Sequence, residues 1–464
     1  MSADKGAGRR LDPTILREYD IRGIVGKTLV ADDVEAIARG FGSMLTLAGG
    51  KSIALGYDGR LHSPELEAAA AKGLMATGLR VIRSGRGPSP MLYFASHHFG
   101  ADAGMMITGS HNPPEYNGIK MMFQGHAFFG ADIQELGKRV AAGDYVTGNG
   151  TDEHHDIRQQ YVERLAADYR GNRELKIAWD PANGAAGETV EMLVRRLPGT
   201  HVVINAEIDG MFPSHHPDPT VEKNLAQLKD VVAAEGCDLG IGFDGDGDRI
   251  GVVDGQGRVL WGDQILVVLA RDVLADEPGA TIIADVKASR LFQDEIERLG
   301  GVPLLWKTGH SHIKKKLADS GAPLAGEMSA HIFFKHRYYG YDDALYAAVR
   351  MLSVVAGGDE SLAEIRDSLP PYLNTPELRF DCAEERKFKV VEEVAKRLAK
   401  EGANVIDIDG VRVETGDGWW LLRASNTQAV LVARCESTTE AGLARLKSAL
   451  ADQLRQSGIE PPEM

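Results

Sequence analysis

Three aspartates alternate with glycine at residues 244–248, directly after the apolar run Leu239–Phe243. The run predicts a buried strand, and a spacing of two directs all three carboxylates of an extended or looped backbone to one side. Three converging negative charges repel one another unless a cation lies among them. Carboxylate oxygens favour Mg²⁺, Ca²⁺ or Mn²⁺ over Zn²⁺. The segment therefore predicts a site for a hard divalent cation, and a solvated acidic turn is the alternative.

The best-known calcium loop does not fit this segment. That loop needs glycine at its sixth position and glutamate at its twelfth. Counted from Asp244, those positions hold Arg249 and Gly255. Mg²⁺ usually keeps coordination positions for water and for a substrate phosphate, and an arginine beside the cluster suits a phosphate or carboxylate partner.

A hydroxyl and an imidazole stand side by side in Thr108-Gly-Ser-His-Asn-Pro-Pro, which follows the apolar run Ala103–Ile107. The glycine and the two prolines predict a rigid loop at the end of a strand. Open α/β sheets bind their ligands at the carboxyl ends of strands. Ser110 and His111 are therefore candidate catalytic residues. The alternative is a polar turn in which Ser110 bonds only the backbone.

Two further loops suit a phosphorylated sugar. The loop 423–427, Arg-Ala-Ser-Asn-Thr, offers an arginine, two hydroxyls and an amide for a phosphate. Glu327, Ser329 and His331 can hydrogen-bond the hydroxyls of a sugar ring. On composition alone, each segment is also consistent with an ordinary polar loop.

Four single residues are weaker candidates. Arg22 can reach a phosphate, and an ion pair with a nearby carboxylate is the alternative. Lys120 lies ten residues after Ser110 and can return to the same loop. Lys287 and His310 each follow a strand, where a solvated side chain is the alternative.

The composition of the chain argues against some functional classes of protein. The 464-residue chain carries a formal net charge of −15, which argues against nonspecific binding to nucleic acid or to an anionic membrane. Its length allows about three or four domains. The three cysteines lie far apart, and we find neither a leader segment nor a stretch of about 18 apolar residues. We expect a cytoplasmic protein with no membrane partner.

Apolar strands and amphipathic helices alternate in three units, whose first strands begin near residues 52, 176 and 281. In the first unit Ser63 is the expected N-cap of a helix, with Pro64 at the first helical position. Beyond residue 369, short strands and tight turns lie between two helices. We predict an α/β protein with three sister βαβ-type mixed-sheet domains and a C-terminal α+β domain around a central cleft. The expected domains are 1–155, 156–256, 257–369 and 370–464.

Together, these motifs identify a family. The chain resembles the α-D-phosphohexomutase superfamily over nearly its whole length. Its Gly-Glu-Met-Ser loop resembles the phosphomannomutase/phosphoglucomutase branch, whereas phosphoglucosamine mutases more often carry glutamine after the glutamate. Tyr57 departs from the pattern, since the family often has arginine there, and this puts local phosphate or domain contacts in doubt. The matching segments are Tyr19-Asp-Ile-Arg-Gly23, Thr108-Gly-Ser-His-Asn-Pro113, Asp244-Gly-Asp-Gly-Asp-Arg249, Gly326-Glu-Met-Ser329 with His331, and Arg423-Ala-Ser-Asn-Thr427.

The resemblance implies reversible phosphoryl transfer between the 1- and 6-positions of mannose and glucose phosphates, through a phosphoserine and a 1,6-bisphosphate. It implies that Ser110 carries the phosphoryl group and that Mg²⁺ is held by Ser110, Asp244, Asp246 and Asp248. Glucose 1,6-bisphosphate is the expected activator, and we expect a monomer that acts on small hexose phosphates. The implied catalytic residues are Ser110, Lys120, His111, Arg22 and Arg249. The implied substrate-binding residues are Tyr19, Lys287, His310, Glu327, Ser329, His331, Arg423, Ser425, Asn426 and Thr427.

Lys120 is the expected general acid/base, and a neutral lysine needs a lowered pKa, which a nearby cation can provide. The resemblance also implies that the fourth domain turns on a hinge near residues 369–372. Three alternatives stay open: a non-catalytic sugar-phosphate binder, a phosphoglucosamine mutase and a metal-dependent phosphatase.

Overall fold

The structure is a computed structural model that describes residues 3–5, by their backbone alone, and residues 8–426 and 428–462. Within this part of the chain the strands form four main sheets and one separate two-stranded pair. The main sheets follow one another along the chain, and we call the parts that carry them the first to the fourth domain. No helix among the described residues is both long and apolar enough to cross a lipid bilayer.

The first domain has a mixed sheet with helices packed on it. In its centre β3 runs parallel to β4 and β5, and β6 is antiparallel to β5. Strands β2, β7 and β9 extend this sheet, while β1 pairs with β8. The strands are β1 (Ala3–Lys5), β2 (Ile21–Ile24), β3 (Ser52–Tyr57), β4 (Arg80–Arg86), β5 (Ala103–Ile107), β6 (Tyr116–Phe123), β7 (His126–Ala127), β8 (Asp144–Val146) and β9 (Thr151–His154). The helices are α1 (Ala31–Leu47), α2 (Ser63–Met75), α3 (Ser89–His98) and α4 (Ala131–Ala142).

The second domain repeats this arrangement. Strand β10 is parallel to β11 and β12, and β13 runs antiparallel to β12. Its elements are α5 (Arg158–Ala166), β10 (Lys176–Asp180), α6 (Gly187–Val194), β11 (Thr200–Val203), α7 (Ala226–Glu235), β12 (Leu239–Phe243), β13 (Ile250–Asp254) and β14 (Val259–Leu260).

The third domain has the same order again. Strand β15 is parallel to β16 and β17, and β18 is antiparallel to β17. Its elements are α8 (Gly262–Asp276), β15 (Thr281–Asp285), α9 (Arg290–Arg298), β16 (Val302–Trp306), α10 (His310–Ser320), β17 (Leu324–Gly326), β18 (Ile332–Phe334), α11 (Ala344–Gly357) and α12 (Leu362–Asp367). The recurring order, three parallel strands and one antiparallel strand, confirms the predicted sister domains.

The fourth domain differs because its sheet is antiparallel throughout. This confirms the predicted α+β domain. Its elements are β19 (Leu373–Asn374), β20 (Leu378–Asp381), α13 (Glu384–Glu401), β21 (Asn404–Ile406), β22 (Val411–Thr415), β23 (Gly418–Ala424), β24 (Val430–Ser437) and α14 (Glu440–Gln456).

The apolar cores show which domains are joined. One continuous cluster of buried side chains contains Phe94 of the first domain, Trp179 and Phe243 of the second, and Leu266 of the third. The fourth domain has a separate core between its sheet and its two helices. A small cluster of Val286, Trp419 and Leu421 links it to the third domain. Ile406 and Ile408 of the fourth domain also pack against the large shared cluster, so the fourth domain has a core of its own and an apolar contact with the rest of the chain.

The expected N-cap at Ser63 is wrong by one residue. Helix α2 begins at Ser63 itself, and His62 occupies the N-cap position. The Ser63 hydroxyl instead donates a hydrogen bond of 2.5 Å to Asp58 and accepts one of 2.9 Å from Asn117. Asp58, just after β3, and the distant Asn117 bond the hydroxyl that N-cap preferences assign to the helix end.

Candidate functional site

The loop after β5 places Ser110 against the acidic segment of the second domain. Ser110 has a positive φ of 49°, which is unusual for a residue with a side chain, and it is 3% exposed. Its hydroxyl donates a 3.1 Å hydrogen bond to Asp244 and lies 3.3 Å from Nδ1 of His111. The structure therefore brings together the candidate nucleophile and the first aspartate of the predicted metal group.

The three aspartates converge as their spacing predicts. Asp244, Asp246 and Asp248 are fully buried, and one carboxylate oxygen from each lies within 4.8 Å of the others. Burial and the neighbouring carboxylates raise the pKa of Asp244 well above its usual range. Among the described residues, Oδ1 of Asp246 has no hydrogen-bond partner, and Oδ1 of Asp248 faces Nε2 of His331 at 3.3 Å. These oxygens fit a hard divalent cation, because a buried carboxylate needs a compensating charge.

A second buried group, formed by Asp248, His331 and Asp342, also has ligand atoms within 4.8 Å of one another. Two of its members are already engaged. Asp342 accepts a 2.9 Å hydrogen bond from Lys314, and Nδ1 of His331 lies 3.1 Å from Glu327. The group of three aspartates is the better candidate for a hard cation, because it offers carboxylate oxygens alone, whereas the second group includes an imidazole.

Lys120 reaches the same carboxylates from β6. Its ammonium group donates hydrogen bonds of 2.6 Å to Asp246 and 2.5 Å to Asp248. Burial would lower the pKa of Lys120, but these two carboxylates outweigh it and raise the pKa well above its usual value. This is the opposite of the lowered pKa that the sequence interpretation required of a lysine base.

Arg22 and His111 lie beside the Ser110 loop. Arg22 is 4% exposed, donates a 3.3 Å hydrogen bond to Asn112, and forms an ion pair with Asp20. The ion pair considered as the alternative for Arg22 is thus present, together with the contact to the loop. Burial and the nearby Arg249 hold the pKa of His111 well below its usual range, so the structure favours a neutral imidazole.

Arg249 connects the second domain to the third. Its Nε lies 3.3 Å from Nε2 of His331, and an isolated β-bridge also joins these two residues. On its other side, Arg249 lies 3.8 Å from Asp218. The sequence interpretation missed Asp218, which lies 31 positions before Arg249 in an irregular segment.

The segment after β17 lies next to the metal group. Glu327 accepts a 2.6 Å hydrogen bond from the backbone of Gly309, and the Ser329 hydroxyl lies 3.0 Å from Nδ1 of His331. Nε2 of His331 lies 3.3 Å from Asp248. Although burial lowers the pKa of His331, Asp248 and Glu327 raise it to about 9. His331 therefore links the predicted sugar-binding loop to the acidic group.

Lys287 and His310 are not solvated, contrary to the alternative considered for them. Lys287 is 8% exposed and donates a 3.0 Å hydrogen bond to Glu377 of the fourth domain. His310 begins α10, and its Nδ1 lies 3.6 Å from Asp342. Burial and the nearby Lys314 hold the pKa of His310 well below its usual range.

The loop of the fourth domain meets the first domain at Tyr19. Asn426 donates a 2.8 Å hydrogen bond to the Tyr19 hydroxyl, which itself donates 3.0 Å to the backbone of Thr308. Arg423 contacts Asp409 at 3.0 Å, and Asp409 is a second residue that the sequence interpretation missed. Ser425 is buried in the same loop, whereas the predicted Thr427 lies outside the described residues.

Sequence comparison matches the four parts of the chain in order. The alpha/beta/alpha domains I, II and III of phosphoglucomutase/phosphomannomutase match residues 13–146, 159–257 and 261–372, and the C-terminal domain matches residues 377–453. The chain belongs to the phosphoglucomutase/phosphomannomutase family.

Individual relatives of this family cover nearly the full chain. A phosphomannomutase/phosphoglucomutase of Pseudomonas aeruginosa is 41% identical over 96% of both chains. A phosphoglucomutase of Neisseria gonorrhoeae is 42% identical over 94% of this chain and 95% of its own length. The crystal structure of a phosphoglucomutase/phosphomannomutase family protein from Burkholderia thailandensis matches with a TM-score of 0.92 at 42% identity, covering 97% of this chain and 98% of that one.

Family membership does not by itself explain one buried pair that the sequence interpretation left without a role. Asp58 and Arg60 follow β3 and are 1% exposed. Both contact the loop that carries Ser110. The available signal was a charged pair directly after an apolar strand, at the sheet edge where ligands bind.

Proposed function

We propose that this chain is a phosphohexomutase that moves a phosphoryl group between the 1- and 6-positions of glucose and mannose phosphates. The observation that carries the proposal is the hydrogen bond from the buried Ser110 hydroxyl to Asp244, within a group of three carboxylates. Two relatives with more than 40% identity over nearly the whole chain bear the names phosphomannomutase/phosphoglucomutase and phosphoglucomutase.

In the proposed reaction, Ser110 carries the phosphoryl group. The bond between phosphorus and the serine oxygen breaks as the free 6- or 1-hydroxyl of the sugar phosphate forms a new bond to phosphorus. That hydroxyl loses one proton, and the released serine oxygen gains one. This gives a 1,6-bisphosphate. After the bisphosphate turns, its other phosphoryl group returns to Ser110 and leaves the isomerised monophosphate.

Asp244, Asp246, Asp248 and the phosphoserine would hold Mg²⁺, which supplies charge neutralisation during transfer. Lys120 lies within hydrogen-bond distance of two of these carboxylates, which favour its ammonium form. It would first give a proton to the serine oxygen that leaves phosphorus, and then take up the proton of the reacting hydroxyl. Arg22, His111 and Arg249 would orient the phosphoryl group.

The remaining residues of the site would bind the substrate. Glu327, Ser329 and His331 would accept or donate hydrogen bonds to the sugar hydroxyls, whereas the fourth-domain loop would hold the phosphate that does not react. The residues proposed for phosphate and ring contacts outside the sugar loop are Tyr19, Lys287, His310, Arg423, Ser425, Asn426 and Thr427.

The turning of the bisphosphate requires the fourth domain to open. That domain has its own core and reaches the first domain through Tyr19 and Asn426. It also bonds the third domain, where Arg412 donates to the backbone of Val286 and Ala288, so opening would have to break or rearrange these contacts as well. The hinge would lie near residues 369–372. We also propose the domain divisions 1–155, 156–256, 257–369 and 370–464, a monomer, and a cytoplasmic location consistent with three buried free cysteines.

A coupled assay tests the proposal. Isomerisation of glucose 1-phosphate, mannose 1-phosphate and glucosamine 1-phosphate is measured with Mg²⁺ and a trace of glucose 1,6-bisphosphate, which would phosphorylate Ser110. Comparable kcat/KM for glucose and mannose substrates supports the proposal. Activity on the aminosugar alone would reassign the chain to phosphoglucosamine mutases, phosphate release would indicate a phosphatase, and binding without turnover would indicate a non-catalytic binder.

A further inference from the structure

Arg60 lies beneath the loop that carries Ser110 and contacts much of its backbone. Its two terminal nitrogens donate hydrogen bonds to four carbonyl oxygens of this loop and of the start of β6. The acceptors and distances are Ser110 (2.7 Å), Asn112 (2.5 Å), Pro113 (2.6 Å) and Tyr116 (3.0 Å). A planar guanidinium can serve several acceptors in fixed directions, which a lysine ammonium cannot reproduce.

Asp58 completes this arrangement from the same strand end. One of its oxygens lies 3.3 Å from Nε of Arg60 and accepts a 3.0 Å hydrogen bond from the backbone of Gly109. The ring of Phe212, from the second domain, covers the guanidinium at 5.1 Å. Arg60 has no exposed surface on its side chain, so water does not compete for these contacts.

Gly109 allows Arg60 to approach so closely. A Cβ atom placed at Gly109 would lie 2.2 Å from Nε and 2.3 Å from Cζ of Arg60. The φ of Gly109 is not positive, so the backbone itself would accept an alanine. The glycine is therefore required by the arginine rather than by the turn.

These contacts surround a residue with an unfavourable backbone. A positive φ at a serine costs about 1 kcal/mol or more and persists only where surrounding structure imposes it. We infer that Arg60 is a positioning residue that holds the Ser110 loop in the geometry for phosphoryl transfer, with Asp58 fixing the guanidinium. This inference rests on the proposed function, and it assigns Arg60 no contact with the substrate.

Kinetics of the full-length protein test the inference. Arg60→Ala should lower kcat about 100-fold, because a misplacement of about 1 Å costs that much, while KM for glucose 1-phosphate changes less than about threefold. Added guanidinium ion should restore at least about a tenth of the lost kcat, and ammonium ion should not. The kcat of Arg60→Lys should be close to that of Arg60→Ala. A wild-type kcat in either variant would overturn the inference.

Two further variants separate positioning from general stability. Arg350→Ala removes another fully buried arginine, which donates to the backbone of His336 and lies outside the site. It should lower Tm without a comparable loss of kcat and without rescue by guanidinium. Gly109→Ala should reproduce the Arg60→Ala defect, and the double variant should be no worse than either single variant. Additive losses, or equal loss of kcat in Arg350→Ala, would contradict the inference.

Hydrogen exchange provides a readout that does not depend on mutase activity. The amides of Ser110, Asn112 and Tyr116 form hydrogen bonds within the loop. In Arg60→Ala or Arg60→Lys their exchange should accelerate at least tenfold relative to wild type, and unchanged exchange would overturn the inference. If the wild-type protein shows no mutase activity, by contrast, the proposed function is overturned, together with the kinetic part of this inference. The effect of Arg60 on the order of the loop would still be tested by hydrogen exchange.

Discussion

The hydroxyl of Tyr19 accepts a hydrogen bond of 2.8 Å from Asn426, which lies 407 positions later in the chain. The same hydroxyl donates to the backbone of Thr308, so one side chain of the first domain contacts both the third and the fourth domains. Burial raises the pKa of Tyr19 to about 12, which keeps the hydroxyl protonated and able to serve as both donor and acceptor. Any opening of the fourth domain would therefore have to break the hydrogen bond between Tyr19 and Asn426.

Tyr19→Phe should weaken closure of the fourth domain over the substrate. Two hydrogen bonds are lost at about 1 kcal/mol each, so we expect kcat/KM for glucose 1-phosphate to fall about 30-fold, mainly through KM. Tyr145→Phe is the matched control, because its hydroxyl bonds the backbone of Val140 inside the first domain. Equal effects of the two substitutions would argue against a role of Tyr19 in closure.

Ser110→Ala should abolish mutase turnover and leave sugar-phosphate binding nearly intact, because only the transferred group is lost. Turnover is followed with the coupled assay, and binding of glucose 1-phosphate by calorimetry. Ser96→Ala serves as the control, since the hydroxyl of this buried serine donates to the backbone of Leu92 in its own helix. Substantial remaining turnover in Ser110→Ala would exclude Ser110 as the phosphoryl carrier.

Removal of the divalent cation should stop the reaction, and Mg²⁺ should restore it. Asp248→Asn should weaken Mg²⁺ binding at least tenfold, because a buried anionic ligand becomes neutral. Calorimetric titration of Mg²⁺ into wild type and variant measures the change. Asp102→Asn, at the far end of the first sheet, is the control because its carboxylate accepts hydrogen bonds from the backbone of Lys51 and from the backbone and hydroxyl of Ser52, away from the metal group. Activity that is insensitive to a chelator would refute the metal centre.

Arg423→Ala should raise KM about 10- to 100-fold with a smaller change in kcat. This range corresponds to the loss of a charged hydrogen bond to phosphate, about 1.5–3 kcal/mol. Arg445→Ala provides a control in the same domain, because that arginine pairs with Asp417 at the surface. A decrease in kcat with an unchanged KM would argue against phosphate binding by this loop.

Asp343 predicts a pH dependence of stability away from the metal group. Burial raises the pKa of Asp343 to about 7, although hydrogen bonds from Tyr346, Tyr338 and Tyr161 act in the opposite direction. Because this pKa is raised on folding, the contribution of Asp343 to stability is complete below about pH 4 and is lost as the pH rises through 7. The unfolding midpoint of the wild-type protein should fall as the pH rises from about 4 to 7, and that of Asp343→Asn should fall less over the same range. Parallel pH profiles would contradict the raised pKa.

The sequence predicts well those features that depend on local spacing. The alternation in Asp244-Gly-Asp-Gly-Asp places three carboxylates together, and the apolar run 103–107 is the observed β5. The partners of these groups come from distant segments, and local patterns carry no signal for them. Glu377 contacts the predicted Lys287 across domains, whereas Asp218 and Asp409 contact Arg249 and Arg423 from other segments of the same domain. Ser63 bonds Asp58 and Asn117 instead of its helix end.

The pairing of β5 with β6 has a consequence for how this chain tolerates insertions. Lys120 stands opposite Met106, and Arg22 on β2 stands opposite Gly118, so Arg22 and Lys120 share one face of the sheet. A strand alternates its faces with every residue, so adding one residue to β6 before Lys120 would send the lysine to the far side. Adding two would preserve its face but move it by about 7 Å along the strand. Within the paired part of β6, only an even number of inserted residues would therefore keep Lys120 on its face of the sheet. We expect length changes in natural relatives to fall in the turn between Ser110 and β6, outside the paired residues.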